Sequence, residues 1–256
     1  MHTEYSRVFR DARAVRKYEQ VVYAPDSYSS AVSARQRAYL RRLVARAFPD
    51  RRPVQHDFAC GTGRAVRLLH GMVRAAHGYD PSPAMLDRAR AAGLFAQWHE
   101  IAESGPVPEP ATVDGPAIVT VLRLLLNVSD EIRHRAIAFA AGVLPDAGAG
   151  LLVVENHGNP ASLRHLRARR HAGDPWFAEL SHAQVAMLLT EYGFTIVARH
   201  GFALFPQGAY RRRLLRPVAR RLDDVLCRVG WFSRYATDVL YVAQRDEAKV
   251  QPCDAH

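Results

Sequence analysis

A buried strand that runs into a glycine turn and then a helix constrains this chain most. The segment is His56-Asp57-Phe58-Ala59-Cys60-Gly61-Thr62-Gly63-Arg64. Without a Cβ, Gly61 and Gly63 let the backbone turn sharply and approach a ligand closely. Seventeen positions after Gly63, a second strand, His77-Gly78-Tyr79, ends in the carboxylate Asp80. A glycine turn and an acid at this spacing describe a nucleoside-binding crevice at the carboxyl edge of a parallel sheet. The dinucleotide fingerprint requires a third glycine three positions after Gly63, and Val66 stands there. That argues against a pyrophosphate cofactor. A smaller nucleoside with an amino-acid tail needs the close approach without a phosphate cradle. Asp57 is then placed for the ammonium of the tail, and Asp80 for the ribose hydroxyls.

The rest of the chain supplies the sheet. From Val54 the pattern alternates strand and helix. Strands are expected at Val54–Ala59, His77–Tyr79, Leu94–Ile101, Ala117–Leu122 and Gly150–Glu155, and helices at Arg64–Val73, Pro83–Ala92 and Asp130–Val143. Gly105–Pro116 reads as a Pro-rich loop. After Asn156 come a basic helix, Pro160–His171, and a helix from Ser181 to Tyr192 stopped by Gly193. Strands Phe194–Ala198 and Thr237–Ala243 close the pattern, around an aromatic and then Arg-rich insertion over about 202–232. This rhythm predicts an α/β, doubly wound, seven-stranded and mostly parallel sheet with helices on both faces. Ser33–Phe48 has a helical apolar period, and the Pro-containing Tyr23–Tyr28 breaks what precedes it. Residues 1–50 are therefore expected to form a helical lid, 51–245 the sheet domain and 246–256 a frayed tail.

Composition narrows the class. Of 256 residues, 48% are hydrophobic, which supports a packed core rather than disorder. No apolar run is long enough to span a bilayer, and Met1–Gln20 is charged throughout, unlike a signal peptide. Cys60, Cys227 and Cys253 are few and widely spaced, which fits a reducing cytoplasm and shows no metal-ligand pattern. The net charge is +10, and Arg211, Arg212, Arg213, Arg216, Arg220 and Arg221 crowd one segment. Such a balance favours an anionic partner or simply solvates one face. The segment lacks the signature of an RNA-binding module.

Two motifs carry a resemblance. Asp57-Phe58-Ala59-Cys60-Gly61-Thr62-Gly63 is similar to the first motif of class I S-adenosylmethionine-dependent methyltransferases. Gly78-Tyr79-Asp80-Pro81-Ser82-Pro83-Ala84-Met85-Leu86 is similar to their second. The resemblance covers about residues 54–155 and extends with the last two strands to residue 243. It implies a Rossmann-like fold and S-adenosyl-L-methionine held by Asp57, Ala59, Gly61, Gly63, Asp80 and Pro81. Met85 is expected on the adenine face or in ordinary helix core. Glu100, in Trp98-His99-Glu100-Ile101, is expected near the adenine amine, although His99 departs from the glycine common there. Val121 and Leu122 are expected to line the cofactor pocket. Tyr18, Tyr23 and Tyr28 are expected to cap the crevice, within reach of the sulfonium by cation–π attraction, or to pack in the core. Cys60 is common in this motif and is not read as a nucleophile. No metal is implied.

The acceptor side is read from the other strand ends. Arg123 lies just past an apolar strand and needs an anionic partner, on a ligand or in a structural ion pair. Glu155-Asn156-His157-Gly158-Asn159-Pro160 leaves the fifth strand toward the crevice. His157 is the candidate base for a hydroxyl, Asn156 the residue orienting the acceptor and Arg123 its anchor; local turn bonding is the alternative. The expected acceptor is a small molecule such as a sugar, glycolipid precursor or secondary metabolite, and the basic balance favours an anionic one. Oxygen is preferred to nitrogen because Arg123-Leu124-Leu125-Leu126 replaces the tetrapeptide of nucleic-acid amine methyltransferases. RNA or protein modification through the 211–221 arginines, and a non-catalytic cofactor-binding regulator, are the rival readings. A homodimer is compatible with all three.

Overall fold

The computed structural model describes residues 27–112, 114–163, 165, 180–205, 209, 216–227 and 230–246. Seven strands form one sheet: β1 (Val54–Phe58), β2 (Ala75–Asp80), β3 (Gln97–Glu100), β4 (Ala117–Val121), β5 (Gly150–Asn156), β6 (Phe194–Phe202) and β7 (Asp238–Arg245). Their order is β3-β2-β1-β4-β5-β7-β6. Every neighbouring pair is parallel except those made by β7, which runs antiparallel to both β5 and β6. This is the mostly parallel, doubly wound sheet that the sequence predicts. The chain leaves β1 toward β2 and returns on the other side for β4. Ligands bind where the strand order reverses in this way.

The helices begin where the sequence offers caps. Ser27 Oγ accepts the Ser30 N–H at 3.0 Å and opens α1 (Tyr28–Ala47), which therefore starts before the expected Ser33. α2 (Arg64–Leu69) is shorter than expected, because His70 leaves helical geometry and Gly71 turns left-handed at φ +78°. Ser82 and Pro83 open α3 (Pro83–Ala91), which packs on β2 and β3. α4 (Asp130–Val143) has the expected bounds. A capping box between Ser181 and Gln184 opens α5 (His182–Glu191). The described part of the insertion forms α6 (Arg216–Leu226) and α7 (Gly230–Ser233).

Two cores flank the sheet. Leu40, Leu69, Ile118 and Val153 pack between it and α1 and α2, and Val119, Ile137, Phe139 and Tyr241 pack under α4 and α5. Each such burial contributes about 1.5–3 kcal/mol. The α4 side also carries an aromatic row. His56 stacks on His77 at 5.2 Å, His77 on His99 at 5.4 Å, and Tyr79 meets Phe139 edge-on at 4.8 Å. Among the described residues, no helix is long and apolar enough to cross a membrane. The expected Tyr18, Tyr23, Arg211–Arg213, most of the basic helix Pro160–His171 and the tail after Asp246 lie outside the described residues.

Candidate functional site

The loop after β1 is built from left-handed residues. Gly61 has φ +53° and Gly63 φ +78°, as their glycine character requires; Ala59 adopts φ +57° without that freedom. Such a conformation costs a non-glycine residue about 1–3 kcal/mol and persists only where its surroundings enforce it. Here Cys60 N–H donates to the Tyr79 carbonyl at 3.1 Å, and Gly63 N–H donates to the Cys60 carbonyl at 2.9 Å. Asp80, at the end of β2, joins the two turns. Its Oδ2 accepts the Gly61 N–H at 2.8 Å and its Oδ1 accepts the Ser82 N–H at 2.9 Å. Burial raises Asp80 to about 6 against the pull of these two donors. Each oxygen keeps a further lone pair for a ribose hydroxyl.

Asp57 differs from Asp80 in what it lacks. Its Oδ1 accepts the Thr120 hydroxyl at 2.7 Å, and Thr120 Oγ1 in turn accepts Gln55 Nε2 at 3.2 Å. Its Oδ2 is buried and has no hydrogen-bond partner among the described residues. Burial lifts the carboxyl to about 7, opposed by the Thr120 bond and the more distant Arg64 and Arg67. A buried acceptor without a donor costs about 1–3 kcal/mol until something supplies one. An ammonium group does so. Among the described residues, a Cβ at Gly61 would meet only Met85 Sδ, at 4.0 Å, which leaves room there for a ligand. The residues present therefore fit a nucleoside with an amino-acid tail.

Gly63 and Gly78 answer to a residue that sequence reasoning passed over. A Cβ on Gly63 would lie 2.7 Å from the Trp98 ring, and one on Gly78 would lie 2.5 Å from it and 2.9 Å from Cys60 Sγ. The indole thus floors the turn. A glycine inside a strand signals such a close approach, and Gly78 was the available clue. Cys60 is buried, and burial pushes its thiol well above the usual range, as its non-nucleophilic reading requires.

Past the ends of β4 and β5, a polar layer lies between the sheet and α1. Glu155 is fully buried; its Oε1 accepts Gln36 Nε2 at 2.7 Å and its Oε2 pairs with Arg64 Nη1 at 3.0 Å. Arg64 also bonds Gln36 Oε1. Burial works to raise Glu155, but Arg64, Arg123, His157 and the Gln36 bond together hold it well below the usual carboxylate range. Asp238 opens β7, and its Oδ2 accepts the Tyr28 hydroxyl at 2.8 Å. Burial and then the nearby Glu155 charge push it up. Arg123 adopts φ +59° just past β4, and its Nη2 donates to Ser29 Oγ at 3.3 Å. Its backbone carbonyl accepts Asn127 Nδ2 at 2.8 Å, which braces the left-handed turn.

The structure brings Asp57, Ala59, Gly61, Gly63, Asp80, Pro81 and Met85 together around the glycine loop. Glu100 is exposed at the end of β3, beside Asp80 in register. Strand alternation corrects two expectations. Val121 points away from Thr120 and lies fully buried in the core under α4, so its side chain is not a pocket wall. Asn156 points away from Glu155; its Nδ2 donates to the Leu180 carbonyl at 2.7 Å, and its Oδ1 accepts the Gly158 N–H at 3.3 Å. That amide clamps the turn after β5 instead of facing an acceptor. Tyr28, expected to cap the crevice or to pack in the core, is buried and ties α1 to β7 through Asp238. His157 follows at the end of β5, half-buried and close enough to Glu155 to affect its charge.

No protein-family model matches the sequence, and no curated protein matches it. Solved structures do resemble it. A SAM-dependent methyltransferase from Leishmania major is 13% identical at a TM-score of 0.60, over 95% of this chain and 82% of that one. A SAM-dependent methyltransferase from Thermotoga maritima is 16% identical at 0.56, over 93% and 99%. Magnesium protoporphyrin IX methyltransferase from Synechocystis, solved with SAH, is 13% identical at 0.53, over 92% and 99%. The chain has the fold of the class I S-adenosylmethionine-dependent methyltransferases.

Proposed function

We propose that the protein is an S-adenosylmethionine-dependent methyltransferase acting on a small-molecule acceptor, with a hydroxyl of a sugar, glycolipid precursor or secondary metabolite favoured. One observation carries this reading. Asp57 Oδ2 is a buried acceptor without a donor, directly before a turn whose Gly61 is open. S-adenosylmethionine, when bound, supplies an electrophilic methyl on a sulfonium. Asp57 takes the ammonium of its tail, which converts the unfavourable buried carboxyl into an ion pair. Asp80 holds the ribose from the far side of the loop, and Met85 packs beside it. The protein's remaining task is alignment and exclusion of water. Arg123 positions the acceptor from the left-handed turn after β4. His157 takes the hydroxyl proton as the new bond forms, and Glu155 attracts the imidazole once it is charged.

Incubation with methyl-labelled S-adenosylmethionine and fractionated extract tests the reading. Label is expected in the small-molecule or lipid fraction; label in RNA or protein alone would sink the acceptor class. Asp57→Asn is expected to weaken S-adenosylhomocysteine binding about 10- to 100-fold by calorimetry, the loss of one buried charge-assisted contact. Full turnover by His157→Ala would end its assignment as base.

A further inference from the structure

Helix α6 turns Asp223 and Ala219 inward, rests Leu226 against the core, and leaves Val218, Leu222 and Val225 on its outer face. Asp223 is fully buried: Oδ2 pairs with Arg35 Nη1 at 2.7 Å, and Oδ1 accepts the Leu204 N–H at 2.9 Å. Val218, Leu222 and Val225 are 57%, 47% and 61% exposed. Their spacing places them on one stripe along the helix. Arg221 is exposed next to Leu222. Just beyond, in α7, Trp231 and Phe232 are 60% and 40% exposed with ring centroids 6.1 Å apart.

A surface helix ordinarily points such a stripe at the core. Here the core-facing side is anchored by an ion pair and a backbone bond, so the stripe is left for something outside the chain. Single exposed apolar residues need no explanation, but an aligned helical stripe followed in the chain by an exposed Trp–Phe pair does. Charge selects the occupant. The protein carries +10, and Arg211-Arg212-Arg213 lead into the helix in sequence. A strongly amphipathic helix of low overall hydrophobicity, preceded in sequence by an arginine run and followed by Trp231, suits a bilayer interface. A single-stranded RNA groove is built on stacking rings rather than aliphatic rows. A second copy of the chain would bring its own positive charge to the contact.

We propose that α6 and α7 dock the protein on anionic phospholipid surfaces. Val218, Leu222, Val225, Trp231 and Phe232 enter the boundary between headgroups and acyl chains, and Arg221 meets the phosphates. None of these residues belongs to the crevice, and docking holds whatever the acceptor is.

Flotation of the full-length protein with vesicles tests this. Binding is expected to vesicles of phosphatidylcholine with about one third phosphatidylglycerol, far above binding to phosphatidylcholine alone. The exposed-site variant V218S/L222Q/V225S is expected to bind about tenfold or more weakly, with an unchanged circular dichroism spectrum. Tryptophan emission is expected to shift blue on the anionic vesicles, and W231F to remove that shift. Three results would overturn the proposal. One is no flotation of the wild type, or equal flotation of the triple variant. Another is loss of a sedimenting dimer in the triple variant without vesicle binding, which assigns the stripe to a second copy. The third is loss of single-stranded RNA binding in that variant without vesicle binding, which assigns it to nucleic acid.

Discussion

His56 and Asp57 are neighbours on β1, and they face opposite sides of the sheet. On one side, burial and then the adjoining His77 and His99 hold His56 far down, at about 3. On the other, burial lifts Asp57 to about 7. Both shifts favour the neutral form, because neither group touches an opposite charge. Glu155 shares the face of Asp57 and is equally buried, yet it stays ionised because Arg64 reaches it at 3.0 Å. The contrast shows what nearby cations decide, with Arg64 the direct partner and Arg123 and His157 adding to it. Glu155 has its counterion within the fold, so it fastens α1 to the sheet. Asp57 has none, so it is ready for a cation from outside.

The largest effect should come from removing that guanidinium. Arg64→Met leaves Glu155 charged and unpaired, and is expected to cost about 3–5 kcal/mol in urea unfolding. The double variant Arg64→Met/Glu155→Gln should recover most of it. Acid titration separates the two faces next. The folded pKa of His56 lies below its unfolded value, so its contribution is complete above about pH 6.5 and fades toward about pH 3. The folded pKa of Asp57 lies above its unfolded value. Its contribution is complete below about pH 3.8 and is lost as pH rises through about 7. The two slopes oppose each other, each at about 1.4 kcal/mol per pH unit. Asp57→Asn is therefore expected to steepen acid destabilisation, and His56→Phe to flatten or reverse it. Equal slopes in the two variants would break the comparison.

Smaller effects test the packing of the neutral side. Gly78→Ala drives a methyl into Trp98 and Cys60, and is expected to lower stability by about 1–3 kcal/mol in thermal unfolding. Exchanging the exposed Asp87–Arg90 pair for alanines should leave the melting curve in place.

Much of the fold was legible because local chemistry encodes it. Asp130–Val143 keeps its bounds, and the buried strands β4 and β5 read as apolar runs. The local pattern ends the sixth strand at Ala198, whereas the strand runs to Phe202. Its extension depends on antiparallel pairing with β7, with a register shift at Ile196/Ala198 that no local pattern announces. The glycine loop was legible because its backbone demands glycine at Gly61 and Gly63. The left-handed Ala59 and Arg123 were not, since nothing in their identity requires it. The Gln36–Arg64–Glu155 cluster was also hidden, because its members are assembled only by the packing of α1 and α2 on β5. Glu155, Asn156 and His157 look like one polar group in sequence, but strand alternation sends Glu155 and Asn156 to opposite faces.

The attachment of α1 has a consequence for the order in which the molecule is made. Tyr28 bonds a carboxylate 210 positions downstream, Arg35 one 188 positions downstream and Gln36 one 119 positions downstream. During synthesis the helix emerges early, but Glu155, Asp223 and Asp238 leave the ribosome much later. An early segment must therefore wait for late ones before it can lock. A chain cut short before Asp223 lacks two of those three carboxylates, so the lock closes only after Asp238 has emerged.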